Sequence, residues 1–125
     1  MIAYTLLGTN NLEQATTFYD ALLAEVGGKK AAELNRVILY AGAKGTPFFG
    51  IAEPSNGQPA TVGNGSMVSL GAKNPEEVDR LYAKAIELGA TDEGAPGPRT
   101  NKTLSFYAGY FRDLDGNKLN FFCMI

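Results

Sequence analysis

Two stretches of the chain place apolar residues three and four positions apart, and each stretch predicts an amphipathic helix. The apolar positions are Ala15, Phe18, Tyr19 and Leu22 in the first stretch, and Val78, Leu81, Tyr82 and Ala85 in the second. This spacing puts the four side chains of each set on one helical face. We therefore predict two helices, each with one buried face.

The two predicted helices belong to an internal repeat with an offset of 63 residues, in which "LLGTNNLEQATTFYDALL" aligns with "SLGAKNPEEVDRLYAKAI" without a gap. Each helix follows an asparagine, Asn11 or Asn74, whose side chain can accept a hydrogen bond from a first-turn amide. Gln14 and Glu77 stand where a capping box places the side chain that reaches back. The repeat is therefore predicted to be structural and half the chain long.

Shorter apolar runs around each helix predict the strands. They cover residues 2–7, 29–33, 36–41 and 47–52 in the first half, and 66–72, 91–93, 104–112 and 118–124 in the second. Gly27 and Gly28 are predicted to end the first helix and Gly89 the second. A turn over residues 114–117 joins the last two strands as a hairpin. Each half thus reads as a strand, a helix and three strands.

The segment "EPSNGQPATVGNG" between the halves is rich in Gly, Pro and Asn and has no apolar periodicity. We interpret residues 1–53 as module one, 54–65 as a crossover and 66–125 as module two. About sixty residues would bury little apolar surface alone. The modules are therefore predicted to be halves of a single α+β domain over residues 1–125.

Charge and composition argue against several classes of partner and mechanism. The 11 Lys and Arg against 13 Asp and Glu give a net charge of -2 without a basic run, so nucleic acid and anionic membranes are poor partners. We expect neither a signal peptide nor a membrane span, and we expect a cytoplasmic location, with which the single Cys123 agrees. Histidine is absent, which removes the commonest metal ligand and the usual neutral-pH base.

The repeat, together with "FYDALLAEVGG", "GAPGPR", "FYAGYFRD" and "DLDGNKLNFF", resembles the glyoxalase/bleomycin resistance/dioxygenase family, also called the vicinal oxygen chelate superfamily. The resemblance covers nearly the whole chain. It implies two tandem βαβββ modules that form a half-open barrel around a cavity. It also implies a divalent metal, held by His and Glu from the first and last strands of each module, and a homodimer.

The metal-ligand positions implied by the resemblance carry unsuitable residues: Tyr4, Phe49, Met67 and Asn120. A phenol with a pKa of about 10 resists ionisation at pH 7, a thioether favours soft Cu(I), and an amide carries no charge. We therefore predict no metal and no cofactor. On this interpretation the family fold is retained without the metal, because "DLDGN" makes a hairpin turn and the repeat makes a sheet cavity, and neither requires a metal.

What remains is a predicted pocket for a small organic molecule. The candidate ligand-binding residues are Tyr4, Phe49, Met67, Arg99, Tyr107 and Asn120. Asn120 is the most informative, because a buried amide in an apolar strand needs hydrogen-bond partners. Arg99 lies in a Gly/Pro-rich loop and could clamp a carboxylate or phosphate; a solvated loop arginine is the alternative. For Phe49 and Met67 the alternative is ordinary core packing.

Three function classes stay open at this point. The first is a metal-free binding protein, as the bleomycin-resistance branch of the family exemplifies. The second is a metal-independent enzyme that uses Tyr4 or Tyr107 as an acid, with Arg99 stabilising an enolate or carboxylate; it requires a depressed tyrosine pKa. The third, a metal-dependent lyase or dioxygenase, conflicts with the residues at the ligand positions.

Overall fold

The computed structural model describes all residues from 1 to 125 and contains two helices and eight strands. The elements are β1 (Tyr4–Gly8), α1 (Leu12–Ala24), β2 (Lys29–Glu33), β3 (Val37–Ala41), β4 (Phe48–Ala52), β5 (Val68–Gly71), α2 (Pro75–Glu87), β6 (Thr91–Thr100), β7 (Ser105–Arg112) and β8 (Lys118–Met124). Two mixed four-stranded sheets have the orders β1-β4-β3-β2 and β5-β8-β7-β6. The predicted tandem βαβββ modules are confirmed.

The chain divides into two compact units, Met1–Val62 and Gly63–Ile125, with the boundary inside the predicted crossover. The two helices occupy equivalent places in these units, because each has 13 residues and the 63-residue offset relates their bounds. Neither helix has the length and apolar character that crossing a bilayer requires.

The predicted helix caps are present. Asn11 Oδ1 accepts the Gln14 N–H at 3.0 Å, and Asn74 Oδ1 accepts the Glu77 N–H at 2.8 Å. The Glu77 carboxylate accepts the backbone N–H of Lys73 at 2.7 Å, one residue before the cap. At the other ends, Gly27 and Gly89 have φ values of 75° and 109°, a conformation that glycine adopts without a Cβ penalty.

In the first unit, α1 covers one face of its sheet. Phe49 lies on this face, because its ring centroid is 5.0 Å from that of Tyr19 in α1. Its strand partner Tyr40 faces the same way and donates a hydrogen bond from its hydroxyl to Asp20 of α1 at 2.8 Å. Tyr4 pairs with Phe48 rather than Phe49 and therefore lies on the opposite, helix-free face.

The sheet of the second unit likewise has one face covered by α2 and one helix-free face. Tyr107 donates from its hydroxyl to Asp79 of α2 at 2.7 Å, so it lies on the helix-covered face. Its partner across the hairpin is Cys123, whereas Asn120 is opposite Tyr110. Since side chains alternate along each strand, Asn120 and Tyr110 share the helix-free face.

One predicted loop is a strand. The Gly/Pro-rich stretch that contains Arg99 belongs to β6, which runs from Thr91 to Thr100 and pairs antiparallel with β7. Proline is tolerated because β6 is the edge of its sheet, where outward backbone groups need no strand partner. Register shifts at Asp92/Gly94 and Gly94/Gly97 accommodate the irregular sequence. Arg99 is consequently held at a fixed register opposite Phe106.

Three tyrosines attach sheet and helix through carboxylates: Tyr40 with Asp20, Tyr82 with Asp92, and Tyr107 with Asp79. Burial, followed by the hydrogen bond to Asp92, raises the pKa of Tyr82 to about 12. Burial and the Asp20 hydrogen bond raise the pKa of Tyr40, and the hydrogen bond to Asp79 raises that of Tyr107. All three phenols are therefore harder to ionise in the folded protein than in the unfolded chain.

We predict that stability falls at alkaline pH. A tyrosine whose folded pKa is raised contributes its full stabilisation below the unfolded pKa of about 10, and the contribution is lost as pH rises through the folded value. Urea unfolding between pH 8 and 12 should show a decline that starts near pH 10. The Tyr40→Phe variant should decline less steeply, and a free energy of unfolding that stays level to pH 12 would contradict the prediction.

Candidate functional site

The candidate site is the helix-free face of the second sheet, and Asn120 lies at its centre. The side chain is 2% exposed, and its Oδ1 atom has no hydrogen-bond partner. Its strand neighbours, Leu119 and Phe121, are fully buried on the other face, where Phe121 stacks on Phe111. The amide is therefore a buried acceptor on a face that the helix does not cover.

Tyr110 is the direct cross-strand neighbour of Asn120. Side chains paired in this way have Cβ atoms about 5 Å apart. Two cations flank the Tyr110 ring: Cζ of Arg99 is 5.7 Å from the ring centroid, and Nζ of Lys118 is 5.5 Å from it. One aromatic ring thus gathers two positive charges beside the buried amide.

The charges on this face are unequally compensated. Arg112 pairs with Glu93 at 3.0 Å, and this interaction lowers the pKa of Glu93. Arg99 instead donates to backbone carbonyls, to Ala95 at 2.9 Å and to Pro98 at 3.4 Å. Neither Arg99 nor Lys118 has a carboxylate within 4.0 Å, although Glu93 acts on Lys118 from further away. The face therefore carries excess positive charge.

Apolar side chains continue the same face beyond Asn120. Phe106 and Phe122 have ring centroids 5.2 Å apart, and Phe122 is two residues from Asn120 along β8. Ser69 is the partner of Asn120 on the other side, and exposed Met67 is two residues before Ser69. The site thus combines cations, one amide and an aromatic surface, which is the usual composition of a small-molecule site.

Two of the six predicted site residues, Phe49 and Tyr107, lie on the helix-covered faces of their sheets. Phe49 is 8% exposed and packs against Tyr19 under α1, which agrees with the alternative interpretation as core. Tyr107 faces α2, with its hydroxyl bound to Asp79, and its raised pKa is opposite to the depression that a metal-independent acid mechanism would need. Neither side chain reaches the helix-free face of its sheet.

Of the other four, three lie on helix-free faces, and Met67 is an exposed residue just before β5. Arg99 and Asn120 belong to the second sheet, where the structure brings Arg99 to the ring next to Asn120. Tyr4 belongs to the first sheet, where it is exposed beside Phe48. The sequence analysis missed Tyr110, Lys118 and Phe106. Alternation alone could have found Lys118, two residues before Asn120, whereas Tyr110 and Phe106 required the hairpin register.

The residues do not fit the metal that the resemblance implies. The structure contains no group of three or more His, Cys, Asp or Glu side chains placed to hold a metal ion. Apart from the Ser69 hydroxyl, the side chains around Asn120 are cationic, aromatic or aliphatic, and cations repel a divalent ion. The residues around Asn120 therefore do not suit a mechanism that depends on a bound metal ion.

We predict that Asn120→Glu alone does not create a metal site. The new carboxylate would be buried next to Tyr110 without further anionic donors, and zinc requires three or four ligands. Isothermal titration of the untagged variant with Zn²⁺ should show no stoichiometric binding. One tight equivalent of Zn²⁺ per chain would show that other donors converge on this position.

The paired βαβββ modules are those of glyoxalase-like proteins, and the comparisons agree. The chain matches the sequence model of the Glyoxalase/Bleomycin resistance protein/Dioxygenase superfamily over residues 1–121. It is similar to the crystal structure of a glyoxalase/bleomycin resistance protein from Albidiferax ferrireducens T118, with 38% identity, a TM-score of 0.86, and coverage of 98% of this chain and 97% of that one. The chain therefore belongs to this superfamily.

Two further solved structures are similar. A hypothetical protein from S. aureus is 28% identical, with a TM-score of 0.70 and coverage of 98% of this chain and 91% of that one. Lactoylglutathione lyase from Agrobacterium tumefaciens is 20% identical, with a TM-score of 0.68 and coverage of 98% and 92%, a likeness that shows the fold alone. A comparison with curated proteins found no match.

Proposed function

We propose that the protein binds a small organic molecule on the helix-free face of its second sheet without a metal ion. The observation that carries this proposal is Asn120 Oδ1, a buried acceptor without a partner. Leaving such a group unpaired costs about 1–3 kcal/mol, and the great majority of buried polar atoms are paired. A ligand N–H or O–H would supply the missing donor.

The binding function is favoured over the two catalytic alternatives. Tyr107 donates its proton towards Asp79 on the other face, which leaves the second class without one of its two acids. The third class needs metal ligands, and the side chains available around Asn120 are unsuited to that role. Saturable binding without turnover is therefore the expected behaviour of the purified protein.

The test begins with untagged protein, because a His-tag would supply the ligands that this chain lacks. Elemental mass spectrometry should find much less than one equivalent of any transition metal per chain. A library of small organic molecules is then screened by ligand-observed NMR in the presence of EDTA. Hits should bind Asn120→Leu about tenfold more weakly than wild type. Stoichiometric metal, or hits that are indifferent to this substitution, would overturn the proposal.

Three expectations from the sequence stay predictions. The two modules are expected to be halves of one domain, the chain is expected to form a homodimer, and the protein is expected to be cytoplasmic. The first two rest on the small size of each half and on the family resemblance. Light scattering coupled to size-exclusion chromatography measures the oligomeric state directly. A mass equal to one chain at micromolar concentration would contradict the dimer.

A further inference from the structure

We propose that the ligand is an organic anion that carries a carboxylate, a hydrogen-bond donor and an apolar group, arranged in that order. The inference rests on the proposed binding function and specifies its ligand class. The carboxylate lies near Arg99 and Lys118, the donor bonds to Asn120, and the apolar group contacts the Phe106 and Phe122 rings.

The negative charge of the ligand is inferred from two cations that form no salt bridge. Arg99 and Lys118 both lie within 6 Å of the Tyr110 ring centroid, and neither has a carboxylate partner, while the nearby Glu93 is engaged by Arg112. Two like charges held by one ring repel each other, and an anion within reach of both removes that repulsion. Arginine and lysine hydrogen bonds to a carboxylate are also stronger than neutral ones.

The position of Arg99 is prepared by its own strand. A Cβ added at Gly97 would lie 3.0 Å from Arg99 Nη1, so glycine at this position leaves room for the guanidinium. The backbone carbonyl of Ala95 accepts from Nη2 at 2.9 Å and holds the group over Tyr110. A guanidinium held in this way loses little conformational freedom when an anion binds.

The order of the groups follows from strand β8. Lys118, Asn120 and Phe122 alternate onto the same face, and successive members are about 7 Å apart along the strand. A cation, an acceptor and an aromatic ring thus follow one another in a line. A ligand that satisfies all three must present an anion, a donor and an apolar group in the same sequence.

Three probes separate these requirements: phenyllactate, its neutral amide phenyllactamide, and hydrocinnamate, which lacks the hydroxyl. Dissociation constants are measured with untagged protein at low salt by NMR chemical-shift titration. Phenyllactate should bind about tenfold or more tightly than phenyllactamide, because only the acid meets both cations as a charged acceptor. It should also bind about tenfold more tightly than hydrocinnamate, which leaves Asn120 Oδ1 unpaired.

Matched variants assign each preference to its residues. In Arg99→Gln/Lys118→Gln the preference for phenyllactate over phenyllactamide should shrink below about threefold, since the remaining cation of this face, Arg112, is engaged by Glu93. The control Arg36→Gln/Lys44→Gln makes the same change in net charge in the first unit and should keep the wild-type ratio. In Asn120→Leu the preference for phenyllactate over hydrocinnamate should disappear.

The outcomes distinguish this inference from the proposed function. If the library yields Asn120-dependent ligands that are neutral, and phenyllactate shows no preference over phenyllactamide, the binding function stands and the anionic class is overturned. If neither the library nor the probes shift resonances of Asn120 and Tyr110, both are overturned. A charge preference that also collapses in the control pair would overturn the assignment to Arg99 and Lys118.

Discussion

Replacing Asn120 with leucine is expected to raise the free energy of unfolding by about 1 to 3 kcal/mol and to weaken ligand binding about tenfold. Leucine has the same branching at Cγ as asparagine but no polar atoms. The substitution therefore removes a buried acceptor that has no partner in the ligand-free protein. A residue that lowers stability and strengthens binding is characteristic of a functional site, where stability and activity conflict.

Asn117→Leu is the matched control, and its effect should have the opposite sign. Asn117 is also buried, but its Nδ2 atom donates to Asp113 at 3.0 Å. Leucine there removes a satisfied hydrogen bond to a buried carboxylate and should lower stability by about 1.5–3 kcal/mol. Urea unfolding with ligand absent compares the two variants. Asn120→Leu would contradict the prediction if it were destabilised as much as Asn117→Leu.

Gly109→Val is expected to destabilise the protein by about 3 kcal/mol, at the upper end of the usual overpacking range. A Cβ at Gly109 would lie 2.9 Å from Pro96 Cγ and 3.1 Å from Tyr82 Cδ2. The proline ring belongs to β6 and the tyrosine to α2, so valine would push the edge strand and the helix away from β7. Proline cannot change its rotamer to make room, which distinguishes this position from contacts with flexible side chains.

Gly71→Val serves as the control for the effect of valine in a strand. Nothing lies within 4 Å of a Cβ at Gly71, which ends β5 in the same unit. Valine favours strand structure, so this variant should be as stable as wild type or slightly more so. Thermal unfolding followed by circular dichroism measures both. Equal losses at Gly71 and Gly109 would show that crowding against Pro96 is not the cause.

The sequence predicted most of the fold because local signals agreed with one another. Apolar spacing, cap asparagines and terminal glycines predicted both helices, and the repeat showed the same signals in each half. The exception was β6, where Pro96, Pro98 and two glycines are typical of a loop. Only the sheet order explains why that sequence forms a strand, because an edge strand does not need every backbone donor.

By itself, the sequence determined the paired modules and singled out Asn120 as a candidate, since alternation and composition are properties of single strands. The tertiary structure alone decided which residues join Asn120. Side chains alternate between the two faces along each strand, and only the strand pairing decides which residues of neighbouring strands share a face. Tyr107 and Phe49 were assigned to the site before that pairing was known. The hairpin register pairs Tyr107 with Cys123 and brings Tyr110 to Asn120, while Phe49 packs under α1.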